Sequence, residues 1–249
     1  MNAVNRNNPD SIGRLLAHVK KPSRYLGNEF NTCRKDWAAA SVKIGLVFPD
    51  LYEIGMSHHG LQILYGVINS REKFLADRAY APDKDLERLL RSRSEPLFAV
   101  ESRKPLADFD MIGITLPYEL CYTNILTILD LSNVPLRASE RTGSHPFVIG
   151  GGSGSFNPEP VAAFFDAVLL GDGEEPILEI AEVLETAKIR QWSRVKTLER
   201  LAGIAGIYVP AFFEPAYGPA GELLEITPLK EGYDKVSRRI LPDLEATRS

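Results

Sequence analysis

The stretch that decides the fold is Val42–Arg71, VKIGLVFPDLYEIGMSHHGLQILYGVINSR. A continuous apolar run, VKIGLVF, is followed by a turn rich in Pro, Gly and acidic residues, and then by an amphipathic helical period. Continuous apolar strands that alternate with helices are typical of parallel sheets covered on both faces. The stretch therefore predicts one strand and one helix of a βαβ unit.

The same alternation continues to residue 190. Further strands are predicted at 73–80, 110–117, 146–151 and 165–171, and helices at 58–71, 82–93, 118–132 and 172–189. Pro82 suits the first turn of its helix, and the acidic GDGEE segment at 171–175 is expected to cap the last helix. The pattern predicts an α/β, Rossmann-like fold with a doubly wound parallel sheet in the flavodoxin-like order 2-1-3-4-5.

Shorter elements flank this domain. The pattern of residues 1–41 indicates an N-terminal helical extension with one helix at 11–20. Residues 42–190 are predicted to form the Rossmann domain. Residues 191–249 predict a C-terminal helix at 195–202 and short strands at 206–213 and 221–229. The strand segment, residues 204–229, is apolar enough to pack, whereas the tail beyond Leu241 is expected to be mobile and to be cut first by protease near 243–248.

Composition narrows the functional classes. The chain has 249 residues, 44% hydrophobic and 25% charged, with a formal net charge of −4. These values are ordinary for a globular protein, and they do not direct the chain to nucleic acid or to a membrane. No apolar signal sequence or membrane span is visible, so a cytoplasmic location is expected. Cys33 and Cys121 are too few for a disulfide framework or a thiolate cluster.

A ligand is expected at the carboxyl edge of the sheet, where the strand order reverses. The loops after the first, third and fourth strands meet there. Their glycines allow close approach of a flat ligand, and their hydroxyls, amides and aromatic rings can fix it. The candidate cofactor-binding residues are Asp50, Tyr52, Glu53, Gly55, His58, His59, Gly60, Thr115, Pro117, Tyr118, Gly150, Gly151, Gly152, Ser153, Gly154 and Asn157.

Simpler interpretations compete with this one. GGGSGS is not a phosphate-binding P-loop, because no Gly-Lys-Ser or Gly-Lys-Thr follows, and it can be a turn alone. Tyr118 and Tyr122, four apart on a predicted helix, are expected to pack. His58 and His59 can be metal ligands, an axial ligand or the start of a helix. Because adjacent side chains point in different directions, the helix start is favoured, with Ser57 as its N-cap.

Three stretches together resemble a known family. PSRYLGNEFN at 22–31, PDLYEIGMSHHGLQILYGVIN at 49–69 and VIGGGSGSFNPEPVAAFFDAVLLGDGEEP at 148–176 are similar to the N-terminal cobalamin (vitamin B12)-binding-like domain of radical-SAM (Fe-S oxidoreductase) proteins. The resemblance covers roughly residues 20–249. It implies a module that holds, or formerly held, a corrinoid at the carboxyl edge of the sheet. The alternative is a cofactor-free interaction or substrate-presenting module of the same protein.

The resemblance also implies what lies outside this chain. In such proteins a barrel follows, and its three clustered cysteines hold a [4Fe-4S] cluster that cleaves S-adenosylmethionine. The present chain has no such cysteines, so it is expected to be a truncated module without catalytic or metal-binding residues of its own. The implied partners are that barrel, in the same polypeptide, and a small-molecule corrinoid. A stand-alone nucleotide or flavin binder is a weaker interpretation.

The best-known cobalamin domains carry Asp-x-His-x-x-Gly, whose His ligates cobalt. Here Asp50 lies eight residues before His58, and Gly60 follows His58 by two, which leaves axial ligation open. Only Gly151 and Gly152 fit the Gly-Gly element of the family pattern well. If both lie under a ligand, Gly152→Val is expected to abolish cofactor retention with a small fall in the thermal midpoint.

Overall fold

The computed structural model describes residues 9–242, and its centre is a six-stranded sheet in the order β2-β1-β3-β4-β5-β6. The strands are β1 Val42–Phe48, β2 Phe74–Tyr80, β3 Met111–Thr115, β4 Phe147–Gly151, β5 Ala167–Leu169 and β6 Ile207–Tyr208. The first five pair in parallel, and β6 pairs antiparallel to β5. The predicted Rossmann-like fold and the order 2-1-3-4-5 are confirmed.

Helices cover both faces of the sheet. The α-helices are α1 Pro9–Leu16, α2 Tyr52–Gly55, α3 His59–Asn69, α4 Lys84–Arg93, α5 Tyr122–Leu131, α6 Pro176–Arg190 and α7 Arg194–Leu201. Short 3-10 helices lie at Pro22–Tyr25, Leu106–Asp108, Glu119–Cys121, Ala138–Glu140, Ser153–Phe156, Ala162–Phe164 and Pro210–Phe212. Helices α4 and α5 pack on one face, and α3, α6 and α7 pack on the other. Burial on both faces explains the continuous apolar strands.

Several predicted boundaries were wrong. Pro82 lies before α4, because Asp83 is the N-cap and its carboxylate accepts a hydrogen bond from the amide of Lys84. The predicted helix at 118–132 begins with a 3-10 turn, so α5 starts only at Tyr122. The predicted helix at 11–20 is α1, which starts two residues earlier and ends at Leu16.

Residues 22–35, here called the N-terminal strap, lie beside the outer strand β2 and contact it through side chains. Arg24 is buried and pairs with Glu53 of α2 and with Asp83. Farther along, Glu29 lies 2.5 Å from the Arg78 guanidinium on β2, and Lys35 donates hydrogen bonds to backbone carbonyls at the start of the strand. Other outward-facing backbone groups of β2 are bonded by later segments, Ala76 by the Asn69 side chain and Arg78 by Val100 and Glu101. Because an uncovered edge strand is a template for aggregation, these bonds and those of Lys35 together protect this side of the sheet.

The C-terminal part contains α7, β6 and a β-hairpin. The hairpin pairs β7 Phe213–Tyr217 with β8 Leu223–Pro228, and β8 is exposed along its whole length. Before it, Ile207 and Val209 are fully buried, so residues 204–213 of the segment predicted to pack, 204–229, lie on the Rossmann domain, whereas most of the hairpin is exposed. The strand predicted at 206–213 is shorter, because β6 ends at Tyr208 and a 3-10 turn follows. The predicted boundary near residue 190 stays a prediction, and β6 from beyond it joins the main sheet. The predicted cleavage at 243–248 lies outside the described residues.

None of the helices described between residues 9 and 242 combines the length and the apolar character that crossing a bilayer requires.

A buried ionic network fixes the amino ends of β4 and β5. The carboxylate of Asp166, 3% exposed, accepts hydrogen bonds from the amide of Val148 and from the guanidinium groups of Arg141 and Arg194. Arg141 also donates to the carbonyl oxygens of Pro135, Leu136 and Phe164. The network stabilises the fold only while every member keeps its partner, because a lone buried charge is strongly destabilising.

We therefore expect Asp166→Ala to lower the free energy of unfolding by about 3–5 kcal/mol, because it leaves the fully buried Arg141 guanidinium without its counter-charge. The matched control is Asp130→Ala, which breaks an ion pair to Arg91 whose side chains are 53% and 47% exposed. An exposed pair contributes about 0–1 kcal/mol. Urea denaturation of the three proteins measures both effects, and equal losses for the two variants would contradict the assignment.

Candidate functional site

A crevice of about 220 Å³ runs from the carboxyl edge of the sheet down between α3 and α6. Leu61 and Leu64 of α3 form one wall, and Ile177 and Ile180 of α6 form the other. The remaining lining comes from the start of α3, the strands, and the loops after β4 and β5: His58, Gly60, Leu46, Met111, Gly113, Ile114, Thr115, Ile149, Gly150, Gly151, Gly152, Leu169, Gly171, Asp172, Gly173 and Glu174. This is the edge at which the sequence predicted a ligand.

Two glycines on the central strands lie at the floor of the crevice, and one of them leaves it open. A Cβ on Gly113 of β3 would lie 3.2 Å from the Met111 side chain and 3.3 Å from Leu46, so the position is already tight. A Cβ on Gly151 of β4 would meet only Leu169, at an ordinary 3.7 Å. Space for a ligand is therefore available above Gly151 without any movement of the backbone.

The neighbouring glycines, Gly150 and Gly152, have other structural roles. A Cβ on Gly150 would lie 3.1 Å from the Phe165 ring, which belongs to the core on the opposite face of the sheet. Gly152 has a φ of +112° and serves as a turn, since side-chain-bearing residues rarely adopt that conformation. Of the three glycines, Gly151 is thus the one whose missing side chain opens the crevice.

His58 is the N-cap of α3, and its Nδ1 accepts a hydrogen bond of 3.1 Å from the amide of Leu61. The expectation that Ser57 caps this helix was wrong, because His58 occupies the cap position. An accepting Nδ1 places the ring proton on Nε2, so Nε2 has no lone pair free for a metal. His58 could ligate a metal through Nε2 only by giving up its cap. His59 is exposed on the first turn of α3.

Asp50 and Tyr118 join two of the predicted ligand loops. The Tyr118 hydroxyl donates a 2.6 Å hydrogen bond to Asp50, and this bond raises the pKa of Tyr118 above its ordinary value. Asn124 strengthens the junction by donating to the Pro49 carbonyl at 2.9 Å. Tyr118 precedes the 3-10 turn and is exposed, so the expectation that it packs from a helix was wrong, whereas Tyr122 packs against the core as expected. The loops after β1 and β3 are therefore tied together beside the crevice.

Six of the sixteen predicted residues line the crevice: His58, Gly60, Thr115, Gly150, Gly151 and Gly152. The others lie around it. Tyr52 and Glu53 bond to Glu29 and Arg24 of the N-terminal strap. Gly55 packs against the rings of Phe48 and Tyr80.

The predicted residues of the third loop also stay outside the lining. The Ser153 hydroxyl donates to the Pro117 carbonyl at 3.0 Å, and the Gly154 amide donates to the carbonyl of Leu116 at 2.7 Å. Asn157 is exposed. These contacts fasten the loop after β4 to the loop after β3.

Sequence reasoning missed the apolar walls and the loop after β5. Residues on alternate positions of a strand share one face, so Leu46, Met111 and Ile149 could have been placed together once the register was known. The GDGEE segment was wrongly expected to cap α6. Its Glu175 occupies the N-cap position without a side-chain cap bond, and Asp172, Gly173 and Glu174 line the crevice instead.

The part of the chain between residues 9 and 242 holds no group of three His, Cys, Asp or Glu side chains that could bind a metal ion.

The family model of radical SAM proteins, N-terminal region, matches residues 60–210, which is more than half of the chain. The chain therefore belongs to this family. No curated protein sequence matches it.

Two solved structures of one enzyme are similar to the chain, both of the radical S-adenosylmethionine methyltransferase TsrM from Kitasatospora setae. The structure with a tryptophan substrate and the SAM analogue aza-SAM is 18% identical, with a TM-score of 0.41, over 72% of this chain and 29% of that one. The structure with cobalamin and a [4Fe-4S] cluster is 16% identical, with a TM-score of 0.43, over 75% and 30%. The chain thus spans less than a third of TsrM, and similarity at this level carries no argument about function.

The cap at His58 makes stability depend on pH. Burial, followed by the charge of His59, lowers the pKa of His58 below its ordinary 6.5. As the pH falls below about 6.5, His58 takes up a proton in the unfolded chain that it resists in the folded protein, so its contribution to the free energy of unfolding decreases until the lower, folded pKa is passed. In His58→Asn, which keeps a capping side chain, we expect this decrease to disappear.

Urea denaturation between pH 5 and pH 8 measures the effect. His59→Asn is the matched control and should keep most of the pH dependence, because His59 is exposed. A His58→Asn protein with the wild-type pH profile would show that His58 is not the titrating cap.

Proposed function

We propose that this chain is the corrinoid-binding module of a radical SAM protein, and that the crevice receives one end of the corrinoid. The observation that carries the proposal is the open space above Gly151, where a Cβ would meet nothing closer than 3.7 Å, between apolar walls from α3 and α6. Membership of the family of radical SAM N-terminal regions supports the proposal. The position of the crevice supports it too, because ligands of doubly wound sheets bind at this edge.

The size of the crevice limits what enters it. Pockets that enclose a drug-sized ligand measure roughly 300–1,000 Å³, whereas this one measures about 220 Å³. The flat, largely apolar base at the end of the nucleotide tail fits that space, and the macrocycle then lies at the mouth. The segments that follow β1, β3 and β4 at this edge of the sheet, here called the apolar mouth, carry exposed apolar side chains: Ile54, Met56, Tyr118, Leu120 and Phe156.

Each side chain of the site has a binding role in this proposal. The leucines and isoleucines of the walls exclude water from the tail, and Thr115 offers a hydroxyl at the edge of the floor. His58, with its proton on Nε2, acts as a hydrogen-bond donor and leaves cobalt without a histidine ligand. A bound corrinoid would supply a cobalt centre for group transfer. The barrel of the radical SAM protein would supply the cluster and S-adenosylmethionine.

A cofactor-free module that presents a substrate or partner to the barrel is the alternative. The apolar mouth favours it, because exposed apolar patches mark interaction sites. It also predicts large side chains filling the space above Gly151. That space is open, so we rank corrinoid binding first.

Reconstitution tests the proposal directly. Purified protein is incubated with hydroxocobalamin and desalted, and the retained corrin absorbance is measured. We expect retention by the wild type and by Gly151→Ala, whose methyl group fits at an ordinary contact distance, and loss of retention by Gly151→Leu, whose side chain fills the crevice. Both variants should keep the wild-type thermal midpoint to within a few degrees. Absence of corrin absorbance in the wild type would reject corrinoid binding by this chain.

The structure changes the effect that we expect from Gly152→Val. Because Gly152 has a φ of +112°, we now expect a β-branched residue there to cost about 1–3 kcal/mol and to lower the thermal midpoint clearly. Corrinoid retention in the folded fraction should persist. A small fall in midpoint with complete loss of retention would restore the original expectation.

A further inference from the structure

We propose that residues 237–241, here called the C-terminal clamp, position the crevice wall formed by Gly171–Glu174, and that occupancy of the crevice and docking of the clamp are coupled. This inference rests on the proposed function, because the wall matters to a ligand only if the crevice binds one. The clamp reaches the wall from the far end of the chain and contacts it through backbone and side chains.

The backbone of the clamp lies alongside the loop after β5. The Arg239 amide donates to the Leu170 carbonyl at 2.8 Å, and the Asp172 amide donates to the Arg239 carbonyl at 3.1 Å. These bonds form a parallel bridge between Gly171 and Arg239. The clamp therefore extends the hydrogen bonding of the sheet into the loop that lines the crevice.

Two glycines make this close approach possible. Gly171 has a φ of +108°, and a Cβ there would collide with the Arg239 carbonyl. Gly206 has a φ of +92°, and a Cβ there would lie 2.8 Å from the Leu170 carbonyl and 3.1 Å from the Arg239 amide. Glycine at both positions is required sterically. Gly171, the first glycine of the GDGEE segment, therefore allows the clamp backbone to approach the loop after β5.

Side-chain contacts attach the clamp to the start of α6 and to the wall itself. The Arg239 guanidinium bonds to Glu175 at 2.7 Å and to Glu179 at 2.9 Å, both at the start of α6. The Asp172 carboxylate accepts a 2.7 Å hydrogen bond from the amide of Leu241, whose residue is 8% exposed. Two of the three acidic residues of GDGEE, Asp172 and Glu175, therefore bind the clamp.

The coupling follows from the position of the wall. Asp172, Gly173 and Glu174 line the crevice, while Gly171 and Asp172 bind the clamp. A ligand that packs against the ordered wall favours the docked clamp, and the docked clamp raises the affinity for the ligand by the same factor. The clamp residues act as positioning residues.

Amide hydrogen exchange tests the clamp without any ligand. In Gly171→Ala and in Arg239→Gln, we expect exchange of the Asp172, Arg239 and Leu241 amides to become at least about fivefold faster than in wild type, because docking is weakened. Arg238→Gln, a change in the exposed neighbouring arginine, should leave these rates unchanged. Circular dichroism confirms that each variant is folded, and Arg239→Gln decides the matter if Gly171→Ala does not fold. Unchanged exchange in a folded Arg239→Gln protein would overturn the clamp.

The coupling is tested with hydroxocobalamin as the probe. Its dissociation constant should rise by about five- to tenfold in Arg239→Gln and stay at the wild-type value in Arg238→Gln, and its binding to wild type should slow exchange of the Leu241 amide by a similar factor. Faster exchange without a change in affinity would overturn the coupling and leave the proposed function intact. If wild type binds no hydroxocobalamin, both the proposed function and the coupling fail, while the ligand-free exchange rates still decide whether the clamp orders the wall.

Discussion

The crevice depends on a steric constraint in the middle of the sheet, where β3 and β4 carry glycine at positions that face α3 and α6. Gly113 accommodates the side chains of Met111 and Leu46, and Gly151 leaves space above itself. Protein interiors are close-packed, so space of this kind persists only where the surrounding elements cannot collapse into it. Helices α3 and α6 are held by their packing on the strands, so the absent side chains leave a gap between the helices and the sheet.

Buried charge fixes the frame around that gap at two places. Arg78 on β2 is 2% exposed and pairs with Glu29 of the N-terminal strap and with Glu101. At the other side of the sheet, Asp166 joins Arg141 to the start of β4. Such pairs contribute little net stability, because desolvation offsets their attraction, but they strongly disfavour any arrangement that separates the partners. Both networks therefore specify where loops attach to the sheet.

Sequence patterns were sufficient for the sheet and for the edge at which the crevice opens, because continuous apolar runs and the rules of parallel topology determine both. They were insufficient for assigning the glycines, since only strand register shows that Gly150 faces Phe165 while Gly151 faces the crevice. Sequence patterns also could not identify the N-cap of α3. Ser57 and His58 both carry hydrogen-bond acceptors, and only the backbone conformation selects one of them. Contacts between distant segments, such as Tyr118 with Asp50, leave no local signal at all.

The N-terminal strap has a consequence for the order in which the chain assembles. Its anchors come from later parts of the chain: Glu53 in α2, Arg78 in β2 and Asp83 at the start of α4. Arg78 in turn needs Glu101 beyond it. During vectorial synthesis the strap leaves the ribosome before these partners, so it can complete its ion pairs only after Glu101 has emerged. The strap is therefore made before the segments that anchor it and docks after them.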